Sequence, residues 1–165
     1  MPGNPQMRNT ELCRVIESLG HKNVKAIISS GNVVFSSSQT DEQAIEKQIS
    51  IVLKDELGIP VPAIVRSQKE LKMLEAANPL GAQTHTKNNY LTVIFLMDQA
   101  ERTLVDHPDI MALHTSAREQ CIVTNPDILP GPKAMQIIEK TYGKSITTRT
   151  WKTVECIITT LETIE

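Results

Sequence analysis

Aromatic residues are scarce in this sequence: they make up 3% of it, with one Trp, two Tyr and two Phe. Proteins that bind single-stranded nucleic acid stack successive bases on aromatic side chains. This shortage argues against nucleic acid as a partner. It also means that the hydrophobic core must be aliphatic.

The sequence also lacks an excess of charge, since 17 Lys and Arg residues stand against 19 Asp and Glu residues, for a net charge of -2. Partners are therefore not selected by bulk charge. The three cysteines are odd in number and far apart, which favours a reducing compartment over a disulfide framework. No apolar run approaches the ~18 residues of a membrane span, and the N-terminus shows no apolar leader. We expect a cytoplasmic protein with no membrane association.

Motifs for metals, cofactors and nucleophiles are missing as well. The four histidines form no His-x-x-x-His pair and the cysteines form no Cys-x-x-Cys pair, so no metal site is predicted. The sequence contains no Walker or dinucleotide-binding glycine pattern and no Gly-x-Ser-x-Gly motif. We therefore predict no cofactor and assign no catalytic residues.

Amphipathic helices are the clearest feature that the sequence does contain. Apolar residues recur at the three- and four-residue spacing of one helix face, between capping residues and glycine or proline stops. The last segment is also rich in threonine and isoleucine, which suit a strand, but the spacing favours a helix. Helices are predicted over 9–20, 40–58, 67–78, 132–143 and 150–161, with a further short helix over 98–105.

Several segments rich in β-branched residues predict strands. Val24–Ser29 and Val33–Ser36 flank a bend that contains Gly31, and we interpret them as one kinked strand. Tyr90–Met97 is almost continuously apolar, as expected of a central strand buried on both faces. Further strands are predicted over Val61–Arg66, at an edge because it contains a proline, and over Ile110–Thr115 and Glu119–Thr124.

The order of these elements indicates two similar halves, one covering about residues 1–82 and the other about residues 83–165. No linker composition separates the halves, so a single globular unit over 1–165 is predicted. Its expected fold class is α+β: two fused ferredoxin-like halves with helices packed on mixed or antiparallel sheet.

Three stretches of the sequence, Ile27–Phe35, Ala76–Leu80 and Gly143–Val154, together resemble a bacterial family known as the domain of unknown function 1697 (DUF1697). The resemblance implies paired ferredoxin-like halves, and it implies no activity and no cofactor. Two departures from the family pattern are visible. The strand and glycine-rich segment that open the family are reduced to Gly3–Met7, and only Lys133 is retained from a basic helix start.

A first candidate ligand site lies at the bend formed by Ser29, Ser30, Gly31 and Asn32. Backbone N–H groups and hydroxyls at such a bend can bind a carboxylate or a phosphate. A plain strand bulge accounts for the same residues and is the simpler interpretation.

A second candidate lies in the basic segment 131–153, where Lys133 and Arg149 are the proposed ligand-binding residues. Clustered cations suggest a phosphate-bearing partner. The alternative is a solvated helix face with exposed cations and with Trp151 as a buried anchor.

These observations favour a small binding module for an anionic or phosphate-bearing ligand. An enzyme acting on a small polar metabolite and an RNA-binding protein are the alternatives, although the sheet lacks the aromatic pattern of an RNA-binding surface. A homo-oligomer is also expected. The missing first strand would leave a sheet edge unpaired near Val33 and Phe35, and a second copy could fill that gap.

Overall fold

The computed structural model describes residues 9–27, 31–60, 62–78, 81, 83–97, 105–115, 118–143 and 145–164. The principal predicted helices are confirmed, while all of the short helix predicted over 98–105 except Val105 lies outside the described residues. The helices are α1 (Asn9–Ser18), α2 (Glu42–Leu57), α3 (Gln68–Ala76), α4 (Gly131–Tyr142) and α5 (Trp151–Thr163). The strands are β1 (Lys22–Ile27), β2 (Asn32–Ser36), β3 (Tyr90–Leu96), β4 (Ile110–Thr115), β5 (Glu119–Thr124) and β6 (Ile146–Thr150).

The chain divides into two compact units. The first unit comprises Met1–Leu71 together with Glu155–Glu165, and the second comprises Lys72–Val154. The division therefore falls inside α3 and inside α5. A single globular unit, with halves that meet near residue 82, stays a prediction.

The first unit is built on the apolar faces of α1 and α2. Asp41 caps the start of α2 by accepting hydrogen bonds from the backbone N–H groups of Gln43 and Ala44, at 3.1 and 3.2 Å. Gly58 ends the helix in the left-handed conformation, with φ at 66°. The buried core of this unit is aliphatic, as predicted, and comprises Leu12, Val15, Ile16, Ile45, Ile49, Leu53, Leu57 and Ile59.

The strands β1 and β2 form an antiparallel hairpin, so the prediction of one kinked strand is wrong. Ile27 pairs with Asn32, and the chain reverses between them. Gly31 lies in this reversal with φ at 80°, a conformation that glycine adopts without steric cost. A glycine followed by asparagine is compatible with a kink or with a reversal. The antiparallel pairing of β1 with β2 shows that the chain reverses here and is not merely kinked.

The strand predicted over 61–66 is also wrong, because its described residues belong to no strand. The backbone N–H of Ala63 donates to Ser50 Oγ at 2.9 Å, and that of Val65 donates to Glu46 Oε2 at 2.8 Å. The two acceptors lie four residues apart in α2 and therefore on one face of the helix. Side chains of a helix thus satisfy backbone donors that the sequence pattern assigned to a neighbouring strand.

The second unit contains a four-stranded antiparallel sheet in the order β4-β5-β3-β6. If these four strands are numbered 1 to 4 along the chain, their order from the β6 edge is 4-1-3-2. This is the strand order of a ferredoxin-like βαββαβ motif. β3 is central, as predicted: Val93 pairs with Cys121 of β5 on one side and with Arg149 of β6 on the other. The predicted α+β fold class is confirmed, with a two-stranded sheet in the described part of the first unit.

β6 has no counterpart among the predicted strands. It contains a single apolar residue, Ile146, followed by three threonines and Arg149. Alternation of apolar and polar residues, the usual signal for a half-buried strand, is therefore missing. β6 is a strand because its backbone pairs with that of β3.

One face of this sheet carries α4. Ile94 and Ile122, from the two central strands, are almost fully buried and share a cluster with Ala134 and Ile138 of α4. Because side chains alternate along a strand, Val93, Cys121 and Arg149 point to the opposite face. The complete cluster comprises Ile94, Leu96, Val105, Ile110, Ile122, Leu129, Ala134 and Ile138.

Candidate functional site

In the second unit β6 leads into α5 without a loop, because Thr150 ends the strand and Trp151 begins the helix. Thr150 Oγ1 accepts a hydrogen bond from the backbone N–H of Thr153 at 3.4 Å and lies 3.1 Å from Thr153 Oγ1. This is the geometry of a helix cap. The first turn of a helix presents N–H groups and a partial positive charge, both of which favour an anion.

His85 lies close enough to Lys152, the second residue of α5, for the lysine charge to act on its imidazole. Burial lowers the pKa of His85, and the positive charge of Lys152 lowers this pKa further. The His85 ring packs against Tyr90 with 4.7 Å between ring centroids, and its Nδ1 accepts the backbone N–H of Leu91 at 3.1 Å. In the neutral imidazole the proton is therefore on Nε2, which is a hydrogen-bond donor.

Arg149 precedes the capping threonine, and its side chain is partly buried. The prediction that Arg149 is exposed is therefore wrong, because a strand of a sheet holds it and not a solvated helix. Its Nη1 donates to Thr147 Oγ1 at 2.6 Å and to the carbonyl of Thr148 at 2.7 Å. Burial lowers the pKa of Arg149, although a guanidinium keeps its charge at neutral pH. Trp151, predicted as a buried anchor, is likewise only partly buried.

The other predicted ligand residues lie elsewhere. Lys133 is exposed in the first turn of α4, and no hydrogen bond or ion pair joins it to Arg149 within the described part of the second unit. Gly31 and Asn32 belong to the first unit, where the Asn32 side-chain amide donates to the carbonyl of Ile27 at 3.3 Å, across the hairpin. Asn32 therefore has a structural role, but in a hairpin and not in the strand bulge that was predicted. The remaining two residues of that candidate, at 29 and 30, lie outside the described residues.

The cysteines give no support to nucleophilic catalysis. Cys121 is fully buried, and burial together with the charge of Glu119 raises its thiol pKa to about 12. Burial and the neighbouring Glu17 also raise the pKa of Cys13. A nucleophilic cysteine requires a thiolate, so neither side chain is activated at neutral pH.

Sequence reasoning missed the proximity of His85 to Lys152. It placed Lys152 in the basic segment 131–153 and did not connect it with His85, and 67 positions separate the two residues in the sequence. The fold brings them together because β3, which follows His85, pairs with β6, which precedes Lys152. Since β6 carries no clear strand signal, the sequence offered little from which this pairing could be predicted.

The sequence profile of the family described as "Protein of unknown function (DUF1697)" matches residues 1–128. The chain belongs to the DUF1697 family. This confirms the resemblance seen in the sequence, while the loss of the N-terminal strand of DUF1697 proteins stays a prediction. No curated protein matches this DUF1697 chain.

A solved structure shares the fold of this DUF1697 protein: "conserved bacterial protein SP0830 from Streptococcus pneumoniae". The two chains are 15% identical, with a TM-score of 0.71 over 92% of this chain and 87% of the other. This similarity supports the fold alone. Within the described ranges of the DUF1697 protein, no helix is long and apolar enough to cross a membrane, and no group of three or more His, Cys, Asp or Glu residues could hold a metal ion.

We expect the first unit of this DUF1697 protein to lose stability as the pH falls below about 6.5. His21 is 7% exposed, its ring lies 4.6 Å from that of Phe35, and its Nε2 is buried without a hydrogen-bond partner in the described structure. Burial lowers the pKa of His21 because it disfavours the charged form. Between this lowered pKa and the pKa of about 6.5 in the unfolded chain, the unfolded state binds more protons, so stability decreases with falling pH.

Urea unfolding at a series of pH values, followed by circular dichroism, measures this effect. His21→Gln should reduce the slope of stability against pH. His85→Gln, in the second unit, is the matched comparison, since burial also lowers the pKa of His85. An unchanged slope in His21→Gln would show that the imidazole of His21 does not sense pH.

Proposed function

We propose that this DUF1697 protein binds a small anionic ligand, of the phosphate or carboxylate class, where β6 meets α5. The observation that carries the proposal is the pairing of β3 with β6, which sets His85, bonded to the backbone of Leu91, near Lys152 and the positive end of α5. A cation beside an imidazole disfavours its protonation, and a bound anion offsets that effect. Perturbed groups of this kind concentrate at functional sites.

Each group has a distinct role in the proposed site. The Lys152 ammonium supplies charge, and the backbone N–H groups at the start of α5 supply oriented donors, as in other anion sites at helix N-termini. His85 contributes its Nε2–H, because its Nδ1 is occupied by the backbone of Leu91. The hydroxyls of Thr150 and Thr153 lie at the same helix start.

The proposed site is narrower than the set of residues that the sequence suggested. Arg149 remains a nearby source of positive charge, although its described hydrogen bonds are to its own strand. Lys133 is left out because no described contact joins it to this junction. Gly31 and Asn32 are left out because they form the hairpin of the first unit.

Inorganic phosphate and citrate are suitable probes, with the titration of His85 followed by NMR. A bound anion should raise the pKa of His85, because it stabilises the imidazolium and offsets the charge of Lys152. Lys152→Met should weaken binding by about tenfold or more, the usual effect of losing one charge-assisted hydrogen bond.

Lys133→Met is the matched control, because it removes an exposed lysine of the same unit and should bind the probe as the parent does. Equal affinity of Lys152→Met and the parent would contradict the proposed site. An unchanged His85 pKa at saturating probe would exclude His85 from it.

A further inference from the structure

Tyr90, the first residue of β3, carries an exposed aromatic ring beside the proposed anion site. All five aromatic residues of the chain lie in the described ranges, and the other four, Phe35, Phe95, Tyr142 and Trp151, are buried or half-buried. Tyr90 is 38% exposed. A tyrosine offers a large contact area at a low cost in conformational entropy, because its side chain has only two rotatable bonds. Its ring is therefore suited to stacking with the ring of a ligand.

The loop that precedes β3 is held by its own hydrogen bonds. Thr86 and Asn89 exchange two backbone hydrogen bonds, at 3.1 and 3.2 Å, and the Asn89 side-chain amide donates to the carbonyl of Thr84 at 2.9 Å. The Asn88 side-chain amide donates to Asp127 Oδ2 at 2.8 Å, which anchors the loop on the side of β5. Because the loop is already ordered, little conformational entropy remains to be lost when a ligand binds there.

The backbone N–H of Leu91 points toward the β6 side of β3. Alternate residues of a strand direct their backbone groups to the same side, and Met97, an even number of residues away, donates its N–H to the carbonyl of Ser145 on the β6 side at 3.3 Å. The pairing of β3 with β6 ends at Thr92 and Thr150, so within the described sheet no residue of β6 lies opposite Leu91. This N–H needs an acceptor from elsewhere.

His85 supplies that acceptor with its Nδ1, at 3.1 Å. Its imidazole therefore lies beside the end of β6, where α5 begins with Trp151 and Lys152. The same imidazole packs against the ring of Tyr90, with 4.7 Å between the ring centroids and 41° between the ring planes. His85 thus connects the proposed anion site to the exposed ring of Tyr90.

We propose that the ligand of this site carries its anionic group on a planar aromatic or heteroaromatic ring, and that this ring stacks on Tyr90. The inference rests on the proposed function, in which Lys152 and His85 hold the anionic group. Neighbouring strands such as β3 and β6 lie about 4.8 Å apart. A ring joined to a phosphate through a single ester oxygen spans a separation of this size.

The charges on the two sides of β3 determine how such a ligand lies. Lys152 follows β6 on one side of β3, whereas Asp127 follows β5 on the other side. An anionic group is attracted by the lysine and repelled by the aspartate. The ligand therefore directs its anionic group toward α5 and leaves its ring over Tyr90.

Calorimetric titrations with phenyl phosphate and methyl phosphate test the inference, because the anionic group of the two esters is the same and only one of them carries a ring. The parent should bind phenyl phosphate about fivefold more tightly than methyl phosphate, or better, the usual gain from one stacked ring. Tyr90→Leu keeps an apolar side chain without a ring, so it should reduce this preference to less than about twofold. Tyr90→Phe keeps the ring and should keep the preference.

Met111→Ala is the matched control for nonspecific binding of the phenyl group. Met111 is 51% exposed and lies in β4, which β5 separates from β3, so its truncation should leave the preference of the parent unchanged.

The outcomes distinguish this inference from the proposed function. If methyl phosphate binds but phenyl phosphate binds no more tightly, the ring inference is wrong and the anion site stands. A preference that Tyr90→Leu retains also overturns the stacking on Tyr90. If neither ester binds and inorganic phosphate does not bind either, the proposed function itself is wrong, and the ring inference is wrong with it.

Discussion

Ile94→Ala should lower the free energy of unfolding of the second unit by about 2–5 kcal/mol, the range for truncating a buried aliphatic side chain. Ile94 has 0% exposure and lies in the central strand β3, under α4. Its neighbours in the cluster, Ile122 and Ile138, belong to two separate elements that cannot both move into the space. The cavity should therefore remain largely open.

Trp151 is a convenient probe, because it is the single tryptophan of the chain and belongs to the second unit. Urea unfolding followed by its fluorescence reports the expected shift of the midpoint to lower urea. Ile128→Ala is the matched control: Ile128 is 62% exposed, so its truncation should change stability by less than about 0.5 kcal/mol. Equal midpoints for Ile94→Ala and Ile128→Ala would mean that the α4 face is not the core of this unit.

Glu46→Ala should destabilise the first unit by about 1–3 kcal/mol, because it removes the acceptor of a buried hydrogen bond. Glu46 is 3% exposed and accepts the backbone N–H of Val65 at 2.8 Å. Without it this N–H loses its side-chain acceptor in a segment that belongs to no strand. Glu46→Gln retains a carbonyl acceptor of similar reach, so the loss should be smaller.

Amide hydrogen exchange distinguishes this local effect from a general loss of stability. In Glu46→Ala the amide of Val65 should exchange much faster, while the amide of Ala63, bonded to Ser50, should be less affected. Glu56→Ala, which truncates an exposed glutamate of the same helix, should leave both amides protected. Unchanged protection of Val65 in Glu46→Ala would show that the carboxylate is not its effective partner.

The helices could be predicted because each carries its own signal. The α1 and α2 stripes, the stop at Gly58 and the end of α4 at Gly143 are local patterns that do not depend on a distant partner. The central strand β3 was predictable for the same reason, since a nearly continuous apolar run requires burial on both faces.

The errors in secondary structure all concern strands whose formation depends on a partner. β6 is mostly threonine and becomes a strand by pairing with β3. The segment 62–66 has strand-forming residues, but its Ala63 and Val65 bond to α2. Strand propensity reflects the neighbours that a strand finds more than an intrinsic backbone preference. The hairpin at Gly31 is a similar case, because the same local residues are compatible with a bend in one strand and with a reversal between two strands.

The sequence predicted the class of ligand for the candidate site but not the residues that come together to form it. The excess of cations around Arg149 and Lys152 favoured an anionic ligand, and that suggestion continues in the proposed function. Composition contained no information that would bring His85 to Lys152, because their proximity is a product of sheet topology. Nor could it show that Asn32 is buried in a hairpin.

The hydrogen bonds from Ala63 and Val65 to α2 have a geometric consequence for how long such a segment can be. Residues four apart in a helix are separated by about 6 Å along its axis. Alternate residues of an extended chain are separated by about 6.6 Å, so the two repeats nearly coincide for one step, from Ser50 with Ala63 to Glu46 with Val65. Each further step adds about 0.6 Å of mismatch between the helix repeat and the repeat of the extended chain. Successive side chains four residues apart also rotate around the helix axis, away from a straight neighbouring chain. A helix can therefore substitute for a strand over a few residues only, in keeping with the start of α3 at Gln68.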